Sequence, residues 1–368
     1  MMLRWGGFAA VAILLGALAP ALAQQSSNRT VNVYNWSDYI GPTVVRDFTR
    51  ETGIKVRYDT FDSNDTLETK LLAGKSGYDV VVPTGYFLER QIKAGVFLKL
   101  DKSRLPNLSH LWPEIAGRLT TYDLGNQFAV NYMWGTTGIG YNIKKTRGAL
   151  GPDGVIDSWD VLFKPEILSR FKDCGVNILD SSDDILPAAL HYLGMDPNSS
   201  QEADLQKAAD LVSKIRPLIR KFHSSSYVDA LASGEMCLAV GYSGDFKQAQ
   251  KRAAEAKNAI EIAYTIPREG AQLWFDNLAI PKDARNVAEA YEFINYLQKP
   301  EVAAMSSNYV AFANGNLASQ KFIDKSILED PTIYPDAATM QRLYTYKSHD
   351  PKTVRFMNRL WTRIKTGR

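Results

Sequence analysis

Short apolar runs alternate with amphipathic stretches along most of this chain. Residues 31–34, 79–82, 176–179 and 236–240 are brief, rich in Val, Ile and Leu, and bounded by Gly, Pro, Ser or Asp. That pattern predicts strands. Between them, Leu205, Ala209, Val212, Ile215 and Ile219 recur at helical spacing, with Pro217 near the end, and Ala290, Phe293, Ile294 and Leu297 do the same before Lys299-Pro300. These predict helices. The alternation implies an α/β fold with a mostly parallel sheet covered on both faces. No repeat, low-complexity tract or Pro- or Gly-rich linker interrupts the pattern. Length predicts two domains. Two domains without a linker imply lobes joined by several crossing segments, with residues 134–141 and 266–280 as candidates.

The N-terminus departs from this pattern. A basic start ending at Arg4, an apolar run over residues 8–18 and the small residues Ala21-Leu22-Ala23 have the layout of a cleaved secretory signal. The run is too short to span a bilayer, which takes about 20 residues. The expectation is therefore a signal peptide over residues 1–23, a mature chain starting near Gln24, and export to the periplasm. No cysteine stands at the cleavage site to carry a lipid. The formal charge is +3, or +2 without Arg4, and predicts no particular partner. The C-terminal basic residues Lys347, Lys352, Arg355, Arg359, Arg363, Lys365 and Arg368 flank Val354, Met357, Trp361 and Ile364 at helical spacing. They read as the solvated face of a last helix rather than a nucleic-acid surface. Cys174 and Cys237 are the two cysteines. In an exported chain they are expected to form one disulfide, with a free pair as the alternative.

Catalytic motifs are missing. His110, His191, His223 and His349 show no metal-ligand spacing. Gly241-Tyr242-Ser243-Gly244 has its second glycine one place too early for a nucleophile elbow. Gly74-Lys75-Ser76 would need a glycine where Thr69 stands to be a phosphate loop. No cofactor is expected, and binding is favoured over catalysis.

The positive signal lies after the predicted strands, where doubly wound sheets bind ligands. Asn35-Trp36-Ser37-Asp38-Tyr39, Pro83-Thr84-Gly85-Tyr86-Phe87, Asp180-Ser181-Ser182-Asp183-Asp184 and Gly241-Tyr242-Ser243-Gly244-Asp245 supply acids and aromatics, and Leu273-Trp274-Phe275-Asp276 carries both within an apolar run. Aromatic faces attract ammonium groups by roughly 0.5–2 kcal/mol, carboxylates do so through charge, and rings bury methylenes at about 0.8 kcal/mol each. The mixture suits a flexible chain bearing amines. An anion fits poorly, because none of the five segments holds Arg or Lys. Each segment also has a structural reading. Asp38 suits a helix N-cap, Asp183 and Asp184 suit a helix N-terminus, and Tyr242 and Trp274 suit a core. Asp276 needs a partner if buried, which a ligand amine or a distant Arg or Lys would supply.

The chain resembles the periplasmic putrescine/spermidine-binding proteins of ABC-type polyamine importers. The runs that carry this are Val33-Tyr34-Asn35-Trp36-Ser37-Asp38-Tyr39-Ile40, Leu72-Ala73-Gly74-Lys75-Ser76-Gly77-Tyr78-Asp79-Val80-Val81-Val82-Pro83, Tyr132-Met133-Trp134-Gly135-Thr136-Thr137-Gly138-Ile139-Gly140-Tyr141-Asn142 and Gly241-Tyr242-Ser243-Gly244-Asp245. The resemblance implies a two-lobed periplasmic-binding-protein fold of type II, with crossing hinge strands. Residues 24–137 and 264–310 would form the N-terminal lobe, and 138–263 and 311–368 the C-terminal lobe. It implies a polyamine ligand, an inner-membrane ABC permease as partner, a monomer, no nucleic acid and no enzymatic activity. Its ligand box maps onto Trp36, Ser37, Asp38, Tyr39, Thr84, Tyr86, Asp184, Ser225, Tyr242, Asp245, Trp274, Asp276, Phe312 and Tyr346, and it implies a Cys174–Cys237 bridge within one lobe. Asp184 stands where the family usually has Glu, Tyr242 where Trp is frequent, and Phe312 where Tyr is usual. Tyr86 and Trp274 match spermidine-preferring members. Asp38 and Asp245 match putrescine-preferring ones, and Ser181 lacks an acid that some spermidine binders carry. The expectation is spermidine over putrescine. Alternatives are another cationic amine such as agmatine or cadaverine, a polyamine sensor, or an exported enzyme on the same fold.

Overall fold

The computed structural model describes residues 1–2 and 29–367. The expected signal segment and its cleavage site lie outside the described residues. No helix among the described residues is long and apolar enough to cross a membrane.

Ten strands form one sheet: β1 (Thr30–Trp36), β2 (Lys55–Phe61), β3 (Val80–Val81), β4 (Ala129–Asn142), β5 (Val176–Ile178), β6 (Lys221–Phe222), β7 (Leu238–Tyr242), β8 (Ile262–Thr265), β9 (Leu273–Ala279) and β10 (Ala313–Asn314). Their order is β2-β1-β3-β9-β4-β7-β5-β6, with β8 and β10 also on β4. The outer pairs β1–β2, β1–β3, β5–β6 and β5–β7 are parallel, and every pair in the middle is antiparallel. The sheet is thus mixed rather than mostly parallel. The long crossing strands run against the α/β units on either side, and short apolar runs cannot reveal that direction.

β4 belongs to two halves. Its residues 129–136 pair with β9, and residues 137–142 pair with β7 and β8. The chain passes between the halves in β4 and again from β8 to β9. β10 pairs with Trp134 and Met133, so this short strand lies beside the part of β4 that also pairs with β9. Val31, Val33, Phe48, Ile54, Val80, Phe293 and Ile294 fill the first core. Val176, Ile178, Leu238, Val240 and Val212 fill the second. Each fully buried side chain of this kind contributes about 1.5–3 kcal/mol relative to exposure.

The predicted helices are Glu202–Ile215, with Leu205, Ala209, Val212 and Ile215 buried, and Val287–Leu297. The last helix, Pro351–Thr366, buries Met357, Trp361 and Ile364. Its Lys352, Arg355, Arg359 and Arg363 are exposed.

Cys174 and Cys237 form a disulfide across a separation of 63 residues. It clips the chain just ahead of the parallel register of Val176 on Leu238. Constraining the unfolded chain over such a loop is worth about 2–4 kcal/mol. The double substitution Cys174→Ala with Cys237→Ala should therefore lower the urea midpoint of the second half. A midpoint equal to wild type would show that the bond adds nothing.

Candidate functional site

The carboxyl ends of β1, β3, β5 and β7 face one another across the middle of the sheet, where they enclose a cavity of about 360 Å³. Thirteen of the fourteen expected box residues line it: Trp36, Ser37, Asp38, Tyr39, Thr84, Tyr86, Asp184, Ser225, Tyr242, Asp245, Trp274, Asp276 and Phe312. Tyr346 stands behind the wall. Its ring packs on Tyr86 at 5.1 Å, and its hydroxyl donates to Asp183 at 3.0 Å.

Asp276 is a buried acid of the cavity wall. Its Oδ2 accepts from the Tyr39 hydroxyl at 2.8 Å and its Oδ1 from the Thr84 hydroxyl at 2.6 Å. No Lys or Arg pairs with it among the described residues, so the distant-cation alternative drops out. Both donors are held in turn. A bulge between Asn131 and Met133 leaves Tyr132 unpaired on β4, as bulges do when they re-aim a side chain. The Tyr132 hydroxyl then donates to the Tyr39 carbonyl at 2.7 Å. Asn64 donates to the Thr84 hydroxyl at 2.9 Å and accepts from the Thr84 backbone N–H at 3.1 Å. Burial pushes Asp276 up to about 7, against the pull of its two hydrogen bonds and with a push from Asp184.

Asp184 lies in the first turn of the helix Ser182–Tyr192, where the helix dipole favours an acid. The Thr137 hydroxyl donates to it at 3.0 Å and the Tyr242 hydroxyl at 3.2 Å. Burial again raises its pKa above the ordinary carboxylate range. Asp245, in the first turn of Ser243–Ala256, accepts from the Tyr227 hydroxyl and is pushed by burial up to about 7.

Asp38 behaves differently. The cap of the next helix is Thr43, so the N-cap reading of Asp38 does not hold. Asp38 sits at a left-handed turn with φ of 53°, which Asp tolerates better than most residues. Its carboxylate accepts from Arg252 at 3.0 Å, and the same guanidinium reaches Asp229 at 2.6 Å.

Aromatic rings fill the space between the acids. Trp274 meets Tyr242 edge-on at 5.6 Å and Phe312 at 5.4 Å, and Phe312 meets Tyr39 at 5.3 Å. Gly135 makes room for the Trp274 ring beside β4, since a Cβ there would stand 2.7 Å from it. The indole N–H of Trp274 and the side-chain Oε1 of Gln272 are buried without a partner.

Six aspartates and a single arginine line the cavity: Asp38, Asp62, Asp184, Asp229, Asp245 and Asp276, with Arg252. Sequence reasoning missed Asn64, Asp229, Arg252 and Gln272. Only Gln272 had a signal, since it alternates with Trp274 and Asp276 along one strand face. Arg252 stands in the third turn of the helix Ser243–Ala256, beyond the run that marks its start.

The fold and cleft define a class. The model of the bacterial extracellular solute-binding protein family matches residues 43–335, and the chain belongs to that family. The putrescine-binding periplasmic protein SpuD of Pseudomonas aeruginosa is 51% identical over 368 residues, covering 100% of both chains. The putrescine-binding periplasmic protein PotF of Escherichia coli is 47% identical over 367 residues, covering 99% of this chain and 98% of its own. A solved structure, the putative spermidine/putrescine ABC transporter from Listeria monocytogenes, matches with a TM-score of 0.82 at 34% identity, covering 93% of this chain and all of that one. The architecture is the two-lobed type II fold of periplasmic binding proteins.

A carboxylate whose folded pKa exceeds its unfolded value binds more protons when folded, so its contribution to stability is lost as pH rises. For Asp276 that window runs from about 4, the unfolded value, to about 7. An Asp276→Asn variant stays neutral throughout. Its ligand-free melting temperature relative to wild type should therefore rise between pH 5 and pH 8. A constant difference would show that Asp276 is ionised at both ends.

Proposed function

We propose that this chain is a non-catalytic periplasmic polyamine-binding protein that captures spermidine, with putrescine as second ligand, and delivers it to an inner-membrane ABC permease. The observation that carries this reading is the buried Asp276, hydrogen-bonded by two hydroxyls yet without a cation, in a cavity with six acids and one arginine. Neutral donors leave its charge free to meet an ammonium group. The names of the 51% and 47% identical relatives support the polyamine class, and Tyr86 and Trp274 in the wall support the longer ligand.

In this reading the first lobe offers Trp36, Asp38, Trp274 and Asp276, and the second offers Asp184, Tyr242 and Asp245. Residues 24–137 and 264–310 make up the N-terminal lobe, and 138–263 and 311–368 the C-terminal lobe. β4 and the β8–β9 segment are the hinge. A polyamine touches both lobes only in the closed form and so favours it. The protein acts as a monomer, and transport energy comes from a separate ATPase.

Titration calorimetry on protein stripped of ligand by unfolding and refolding tests this. One-to-one binding of both ligands is expected, spermidine being the tighter. A folded protein that gives heat with neither would sink the reading, and competition with agmatine and cadaverine would then identify another amine. Asp276→Ala should weaken binding by about 2–5 kcal/mol, because it strips a desolvated charge pair of one partner. Trp274→Phe should weaken spermidine more than putrescine, and equal losses would remove the basis for the spermidine preference.

Ammonium binding favours the ionised forms of Asp276 and Asp245, both raised to about 7. Binding at pH 7 should therefore release protons, and the measured heat should shift between phosphate and Tris buffers. Heats independent of the buffer would show that both acids are already ionised.

A further inference from the structure

We propose that Gln272 is a further ligand-binding residue, whose side-chain amide accepts an N–H from the polyamine nitrogen that Asp276 does not hold. The inference rests on the polyamine reading. Gln272 is only 2% exposed, lines the cavity, and leaves its Oε1 without a hydrogen-bond partner. Buried polar atoms are paired in the great majority of cases, so an orphan acceptor on a cavity wall marks a place for a donor from outside the chain.

Its position fits a linear amine. The two-residue period of a strand puts Gln272, Trp274 and Asp276 on one face, at roughly 7 Å intervals. The order is acceptor, indole, carboxylate. An ammonium at Asp276 would lead its methylenes over Trp274 and bring the next nitrogen to Gln272. The backbone there is fixed. The Gln272 carbonyl accepts from the Thr137 N–H at 3.0 Å, while the Thr137 hydroxyl donates to Asp184 at 3.0 Å. One residue of β4 thus sets both the amide and the neighbouring carboxylate. A neutral amide accepts an N–H without adding a seventh like charge to the cavity.

The test is Gln272→Met, which keeps the length and removes the acceptor. Binding of spermidine, putrescine and the monoamine butylamine would be measured by calorimetry, with butylamine read by competition, alongside ligand-free melting. Spermidine affinity should fall about tenfold, the effect of one lost hydrogen bond. Butylamine should bind as to wild type, because it has no second nitrogen. The ligand-free variant should melt at or above wild type, since an orphan acceptor has been removed. Unchanged spermidine affinity would overturn the proposal. So would a lower melting temperature with equal losses for all three amines, which would make Gln272 a structural residue. A wild type that binds no polyamine would overturn the parent reading and this one with it, and is distinguished by the first titration.

Discussion

One strand is shared by both halves of the sheet, and the rest of the molecule is arranged around that constraint. β4 runs for 14 residues, or about 46 Å at the usual rise. It is buried almost throughout, so both cores press on it. Two of its glycines follow from close approach. A Cβ at Gly135 would stand 2.7 Å from the Trp274 ring, and one at Gly138 would stand 2.5 Å from the Thr265 carbonyl. The same strand positions the acids of both halves. Tyr132, freed by the bulge, holds the Tyr39 loop against Asp276, and Thr137, five residues before the end of β4, holds Asp184. A shift of either half along β4 would move a carboxylate and its donor apart.

The electrostatics follow from which donors the chain uses. Asp184, Asp245 and Asp276 are each satisfied by hydroxyls, from Tyr242 and Thr137, Tyr227, and Tyr39 and Thr84. A hydroxyl stabilises a carboxylate by hydrogen bonding but leaves the charge in place. A lysine in the same position would have neutralised the acid and removed its attraction for a ligand cation. The single arginine is kept to the rim, on Asp38 and Asp229, both largely exposed. Desolvation inside, ion pairing outside, is therefore the division that separates a receptive acid from a spent one.

Much of this was legible in the sequence because the acids and aromatics follow apolar runs, and the ends of such runs meet in a doubly wound sheet. Trp36, Thr84, Asp184, Tyr242 and Asp245 were found that way, and Asp276 by its isolation in an apolar run. The sheet's direction was not legible. β4 and β9 look like any buried strand, and only their partners make them antiparallel. Long-range placement was equally hidden. Nothing local to Arg252 shows that it reaches Asp38, 214 positions away in the chain. The cap reading of Asp38 failed for a related reason. Four residues separate Asp38 from Thr43, which caps the helix that begins at Val44.

In the proposed reading the same acids tie ligand capture to closure. There Asp184 belongs to the second lobe and Asp276 to the first, and each is already raised by burial. Bringing them together adds a repulsion, visible as the push of Asp184 on the Asp276 pKa. Asp38 acts in the same sense on Asp245. Closing an empty cleft at neutral pH therefore concentrates negative charge in a space from which water is being withdrawn. Either protons or a cation must compensate. Protons do so by holding Asp276 and Asp245 neutral part of the time. A polyamine does so by charge, and contacts both lobes while doing it. Its differential affinity for the closed form is then the repulsion it cancels plus the contacts it makes. A neutral ligand of the same length would make the contacts and leave the repulsion, so in this reading charge spacing selects the ligand and closure is how the selection is read.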